Sequence, residues 1–199
     1  SVSRNYTKPA YILKLDLQGY FMSLDRKKLY QRAIWGLDRQ FPYKGYQYQL
    51  CKYLWKVIIF NDSLKDVTFN CPRSAWKGLP PSKSLFHQKD GRGIAIGNLT
   101  SQLLSNMYLD QLDRFVTLEL GFKHYGRYVD DFYIISSSKD ELVKTTSVIE
   151  KYLKNNLILT LHPHKRHLQE CTRGVASLGA VIYQLRTHPG KRLKSNLLA

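Results

Sequence analysis

In Tyr128-Val129-Asp130-Asp131 the two adjacent carboxylates lie between two apolar, β-rich runs, His124–Val129 and Phe132–Ser136. Runs of this composition separated by two residues read as a hairpin, and the two aspartates fall where a two-residue turn belongs. The ordinary explanation is a turn preference, since Asp tolerates turn geometry and bonds its own backbone. A third acid adds a chemical one. Upstream, Tyr11–Leu17 alternates, so that Tyr11, Leu13, Leu15 and Leu17 share one face of a strand and Ile12, Lys14 and Asp16 the other. With the leucines in the core, Asp16 faces a cleft. A strand carboxylate meeting hairpin-tip carboxylates suits hard divalent cations, because Mg²⁺ prefers oxygen ligands and leaves positions open for substrate phosphates. Asp16, Asp130 and Asp131 are the candidate centre for nucleotidyl transfer.

The 199 residues are 43% hydrophobic and 13% aromatic, which suits a folded chain with a sizeable core and excludes the disordered and fibrous classes. A net charge of +16 calls for a polyanion partner. No apolar run approaches the length of a bilayer span, and Ser1–Asn5 lacks the apolar core of a signal peptide. Nucleic acid, with no membrane, is the expected partner. Cys51, Cys71 and Cys171 are odd in number and contain no Cys-x-x-Cys pair, so neither a disulfide framework nor a zinc site is indicated, and a reducing cytoplasm suits them.

Taken in order, a polar, loose start over Ser1–Pro9 leads into the Tyr11–Leu17 strand. Ser23 is the expected N-cap of a helix over Asp25–Trp35 that stops near Gly36. Tyr20 and Phe21, four and five residues past Asp16, are either core or close enough to touch the sugar of a nucleotide. Tyr46–Phe60 reads as a second helix whose stripe of Leu50, Tyr53, Leu54, Val57 and Ile58 is mostly core. Phe69–Arg92, with Pro72, Gly78, Pro80, Pro81 and Gly91, reads as a long irregular connection, either a flap over the cleft or a contact surface for RNA or protein.

The stretch Gly93–Gln102 enters an amphipathic helix with Leu103, Leu104, Met107, Leu112, Phe115 and Val116 inward and Gly121 as C-cap. Glycines ahead of a helix let backbone amides approach phosphate, although a loop capped by Asn98 or Thr100 explains them as well. Ser138-Lys139-Asp140-Glu141 fits a capping box that opens a helix to about Asn155, with Leu142, Val143, Ile149 and Leu153 inward. A strand over Leu157–Leu161, a solvated basic rim over His162–His167, a strand pair over Gly174–Leu185 bent at Gly179 and a basic tail over Arg186–Ala199 complete the chain.

These residues resemble a family. Leu15-Asp16-Leu17-Gln18-Gly19-Tyr20-Phe21, Ile96-Gly97-Asn98-Leu99-Thr100-Ser101-Gln102, Tyr128-Val129-Asp130-Asp131, Leu159–Lys165 and Val175–Gly179 occur in the order of reverse-transcriptase palm motifs A to E. The second motif departs from the Pro-Gln-Gly-Gly usual in group II intron enzymes. Together with Leu79-Pro80 and Lys83-Ser84-Leu85-Phe86 it looks like the bacterial diversity-generating retroelement reverse transcriptases, which make error-bearing cDNA and work with a small basic accessory protein.

The resemblance implies an α+β fold, a reverse-transcriptase palm with a small antiparallel sheet backed by helices. It implies one palm-centred domain over residues 1–199 with an insert at about 40–92, most of the fingers and the thumb being absent. It implies RNA-directed DNA polymerase activity in a bacterial cytoplasm, using an RNA template, a DNA or RNA primer and dNTPs. Two Mg²⁺ ions, with Mn²⁺ as substitute, fall to Asp16, Leu17, Asp130 and Asp131. Phe21, supported by Tyr20, stands where the family excludes a ribose 2′-hydroxyl. Ile96 replaces a Gln that touches the incoming nucleotide, Gly97 leaves room for the base pair, and Ser101 and Gln102 belong to the same substrate-binding motif. Lys165 matches a general acid toward pyrophosphate. The alternatives are a group II intron or retron-type enzyme, or a non-catalytic RNA-binding module of RRM type. An RRM stacks bases on sheet aromatics, where this chain has acids.

Overall fold

Burial of leucines sets the central sheet. β1 (Tyr11–Leu17), β2 (Tyr125–Tyr128), β3 (Asp131–Ser136) and β4 (Leu161–Glu170) lie side by side in the order β2-β3-β1-β4. Leu13 and Leu15 of β1 are buried, and β3 sets the fully buried Ile134 and Phe132 directly opposite them. Directly paired residues project to the same side of a sheet. The other side therefore carries Ile12 with Ile135, Lys14 with Tyr133 and Asp16 with Asp131. The computed structural model describes residues 2–3, 8–89, 91–183 and 186–190. Much of the expected loose start (1 and 4–7), Asp90 of the connection, 184–185 of the strand pair and 191–199 of the basic tail lie outside the described residues.

The chain divides into two compact units. One is drawn from Ser1–Asp16, Val116–Ile149 and His162–Ala199, the other from Leu17–Phe115 and Glu150–Leu161. The first holds most of the central sheet and a second antiparallel sheet of β5 (Val175–Ser177), β6 (Ala180–Ile182) and β7 (Thr187–Pro189). The bend expected at Gly179 is the β5–β6 turn, with positive φ at both Leu178 (50°) and Gly179 (81°) as tight hairpins require. β7 falls in what the sequence reading left as tail.

In the second unit, α1 (Tyr20–Ser23) is a single turn and α2 (Arg26–Gln40) follows. Asp25, rather than Ser23, caps α2, its carboxylate accepting from Lys28 N at 3.0 Å. The helix does not stop at Gly36, because Leu37 continues the buried row of Leu29 and Ala33. That row outweighs the roughly 1 kcal/mol by which glycine disfavours a helix interior. α3 (Tyr46–Phe60) has the expected bounds, but its stripe is not core: Tyr53 is 63% and Val57 49% exposed, and Leu50, Leu54 and Ile58 are exposed too. The helix docks through other residues. Tyr48 is buried and donates to Asp38 Oδ1 at 2.9 Å, and the rings of Phe60 and Tyr30 lie 5.6 Å apart.

The connection that follows has only three short 3₁₀ turns, Arg73–Trp76, Pro81–Lys83 and Leu85–His87. α4 (Leu99–Arg114) buries Ser101, Leu104, Ser105, Tyr108, Leu109 and Leu112, while Leu103 is exposed, so the buried face is rotated from the expected one. A π turn, Phe115–Glu119, carries the buried Phe115 and Val116 toward Gly121, whose φ of 73° ends the segment.

α5 (Lys139–Tyr152) opens as half of the expected capping box. Ser138 Oγ accepts from Glu141 N at 3.2 Å, but the Glu141 carboxylate takes the Ser136 hydroxyl instead of the Ser138 amide. Leu142, Thr145 and Ile149 are buried and Val143 is exposed, a correction by one helical position. The strand expected over Leu157–Leu161 does not form. A π turn, Leu153–Leu157, buries Leu153 and Leu157, Ile158 turns at φ 54°, and β4 starts at Leu161. The basic rim His162–His167 is thus part of a strand. Among the described residues no helix is long and apolar enough to cross a membrane.

Candidate active site

The face of the central sheet opposite Leu13 and Leu15 brings the predicted acids together, with Asp16 itself buried. Asp16 sits directly opposite Asp131 across the β1–β3 ladder, and Asp130 is the adjoining turn residue. The hairpin register differs by one from the sequence reading. Tyr128 pairs with Asp131, so the two-residue loop is Val129-Asp130 and Asp131 belongs to the strand. Buried Phe132 and Ile134 impose this, since a slip of one residue would turn both outward. Val129 adopts φ 57°, a costly conformation for a β-branched residue, and Arg127 Nη1 donates to its carbonyl at 2.9 Å.

Two lysines face the acids. Lys165 Nζ on β4 lies 2.7 Å from Asp16 Oδ2, and Lys14 Nζ on β1 lies 3.0 Å from Asp131 Oδ2 while donating to Ala176 O at 3.2 Å. The sequence reading named Lys165 and passed over Lys14. The available signal was its place two residues before Asp16 on the same strand face. Desolvation raises the Asp130 carboxyl above the usual carboxylate range, and the charges of Asp16 and Asp131 push it further. The hydrogen bond to Asp16 raises the Lys165 ammonium, the remaining acids adding to it.

Lys165 only partly offsets the charge of the neighbouring acids at Asp130, and the surroundings offer oxygen donors of the kind hard cations take. Among the described residues no group of three or more His, Cys, Asp or Glu side chains is gathered into a metal cage. Mg²⁺ seldom needs one, because it keeps several waters and takes one or two carboxylates plus substrate phosphates. The donor set fits a divalent cation that arrives with a polyphosphate. Leu17, at the end of β1, is buried and has only its backbone carbonyl to contribute.

The remaining predicted residues lie in the second unit, where Phe21 is tied to the Gly93–Gln102 stretch and Tyr20 to α4 beyond it. The buried Tyr20 hydroxyl donates to Ser105 O at 2.6 Å, and Ile94 N donates to Phe21 O at 3.0 Å. The two rings meet edge to face at 5.4 Å. Ile96 and Gln102 are exposed, Gly97 has φ 104°, and Ser101 is buried. Tyr20 is thus a core residue with a polar anchor, and Phe21 is only half-buried.

Residues 2–182 match the family described as "Reverse transcriptase (RNA-dependent DNA polymerase)". No curated protein matches in sequence. Among solved structures, apo telomerase from Candida tropicalis superposes with a TM-score of 0.62 at 15% identity, covering 94% of this chain and 35% of that one. The form truncated from its C-terminal domain gives 0.54 at 15%, covering 94% and 37%. Telomerase of the same organism in complex with a TWJ fragment of telomeric RNA gives 0.52 at 17%, covering 92% and 30%. The likeness is one of fold, and this chain spans about a third of the length of these structures.

Proposed function

This chain belongs to the reverse transcriptase (RNA-dependent DNA polymerase) family, and from that premise we propose that it carries the nucleotidyl-transfer centre of an RNA-directed DNA polymerase. The observation that carries this reading is the opposed pair Asp16 and Asp131 with Asp130 at the adjoining turn. Asp16, the Leu17 carbonyl, Asp130 and Asp131 would hold two Mg²⁺ ions, or Mn²⁺. When bound, the ions supply activation of the primer 3′-hydroxyl and neutralisation of the leaving pyrophosphate. The chain's own residues position and balance charge. Lys165, whose ammonium lies 2.7 Å from Asp16 Oδ2, is the residue proposed to donate a proton to the pyrophosphate oxygen. Phe21, supported from behind by the buried Tyr20, would bound the sugar, Gly97 would leave room for the base pair, and Gln102 is the exposed and Ser101 the buried member of the same substrate-binding motif.

The finer assignment is an error-prone retroelement enzyme with RNA template, DNA or RNA primer, dNTPs and a small basic accessory protein. Exposed Ile96, in place of a polar contact, supports it. Base selection is a difference of transition-state binding energies, and an apolar side chain contributes less to that difference. The test is Mg²⁺-dependent extension of a DNA primer on an RNA template by this chain and by Asp130→Ala. Extension by the parent alone supports the acid centre. Equal extension by both overturns it, and RNA binding without extension under any metal or accessory-protein condition transfers the reading to a non-catalytic RNA-binding module.

A further inference from the structure

We propose that the segment from Phe69 to His87 is a second nucleic-acid contact, a stacking site for single strands. Three aromatic rings from distant points of this segment converge. Phe69 and Trp76 lie 5.6 Å apart, Phe69 and Phe86 5.7 Å, and Trp76 and Phe86 5.4 Å. A cluster that served only to hold a loop together would bury its rings, yet Phe69 is 41% and Phe86 38% exposed. Beside them is a cavity of about 600 Å³ lined by Arg73, Trp76, Lys77, Leu79, Phe86 and His87, within the 300–1,000 Å³ typical of small-ligand sites. Its wall joins the rings of Trp76 and Phe86 to Leu79, its charged groups Arg73 and Lys77 are cationic, and Ser74 and His87 complete it.

Charge identifies the occupant. From Val67 to Lys89 there is no Asp or Glu, while Arg73, Lys77, Lys83 and Lys89 are present. Arg73 lies over the Phe69 ring at 5.1 Å and the Phe86 ring at 5.9 Å, a guanidinium already placed where base plane and phosphate would meet. Aromatic faces flanked by cations bind single strands without reading sequence, since every base has a π-face. An acidic protein segment would satisfy the cations and leave the flat faces unused. The segment is also anchored. The Trp76 indole donates to Cys71 Sγ at 3.3 Å, Gln88 Nε2 donates to the carbonyls of Pro81 (2.8 Å) and Ser84 (3.1 Å), and Ser82 O abuts Gly19. The site does not depend on the polymerase reading.

The experiment is fluorescence anisotropy of the whole chain with a short labelled oligouridylate in EDTA, which removes any metal-dependent contribution of the acid centre. Trp76→Phe keeps a π-face and Trp76→Leu keeps apolar bulk without one. Trp76→Leu is expected to bind roughly five- to a hundredfold more weakly and Trp76→Phe within a few-fold of the parent. Substituting Arg73→Gln and Lys77→Gln together is expected to flatten the salt dependence, lowering the slope of log K against log salt by about 1.4. Unlabelled single-stranded RNA or DNA should compete, DNA as well as RNA if the sugar is not read. An abasic oligonucleotide or polyglutamate of equal charge should compete poorly. Equal binding by the Leu and Phe variants overturns the proposal, as does equal competition by the abasic strand, polyglutamate or duplex RNA. Each of those results leaves the primer-extension test of the acid centre untouched.

Discussion

Two glycine-to-alanine substitutions in the second unit should move stability in opposite directions. At Gly19, φ is 54° and an added Cβ would lie 2.8 Å from Ser82 O, a backbone atom. The left-handed conformation costs an L-residue roughly 1–2 kcal/mol, and overpacking adds about 1–3 kcal/mol. Restricting the unfolded chain returns about 0.4–1 kcal/mol. Gly19→Ala should therefore destabilise by about 1–5 kcal/mol, centred on about 3 kcal/mol when these ranges are combined. Gly36 lies inside α2, and a Cβ there meets nothing within 4 Å. Gly36→Ala should stabilise by about 1 kcal/mol, the helix-propensity difference. With a urea m-value of about 2 kcal/mol/M, the midpoints should fall by about 1.5 M and rise by about 0.5 M respectively. Urea titration followed by far-ultraviolet circular dichroism measures both. A lower midpoint for Gly36→Ala would mean that the helix ends at Gly36 in a left-handed cap, as the sequence suggested. A parental or higher midpoint for Gly19→Ala would refute the close approach of Ser82.

Three further outcomes are expected. Asp130 holds its proton more tightly in the fold than in the unfolded chain, because burial and two neighbouring acids raise it. The stability this lends is present below the ordinary carboxylate value and is lost as pH rises through the raised one. Asp130→Asn should therefore melt at or above the parent at neutral pH without metal, with no added stabilisation by Mg²⁺, and a lower melting temperature would contradict this. Lys165 is raised by Asp16, so its contribution is full below the ordinary lysine value and is lost as pH climbs through the raised one. The side chain is 55% exposed, which limits the pair to about 1 kcal/mol or less. Lys165→Met should change the neutral-pH melting temperature little and lower the Mg²⁺ concentration needed for thermal stabilisation, since Asp16 loses a competing cation; a higher requirement would count against the arrangement. Tyr20→Phe removes the buried bond to Ser105 O and should cost about 1 kcal/mol, read by the same urea titration, with an unchanged midpoint as the contrary result.

Much of the fold was legible because strand alternation is a local property. Tyr11–Leu17 forms β1 with the expected bounds, and its period of two placed Asp16 on the face opposite Leu13 and Leu15 before any partner strand was known. Where several faces of a helix compete, the sequence was a poorer guide. α3 has an apolar stripe that looks like core, yet its docking surface runs through Tyr48 and Ile59. Leu103 and Val143 are exposed for the same reason: the neighbour that must cover a residue comes from elsewhere in the chain.

The sequence by itself determined the strand carrying Asp16, the hairpin carrying Asp130 and Asp131, and a net charge of +16, because each follows from residue type and short-range spacing. Tertiary structure decided the rest. Phe132 and Ile134 could choose a register only against Leu15 and Leu13, more than a hundred residues away, and that choice moved Asp131 from the turn into the strand opposite Asp16. Lys14 became the partner of Asp131 only once that ladder existed, and Phe69, Trp76 and Phe86 became one cluster only when an irregular segment closed on itself. Contacts between residues far apart in sequence have no period to announce them, so they are decided by what the packed chain leaves room for.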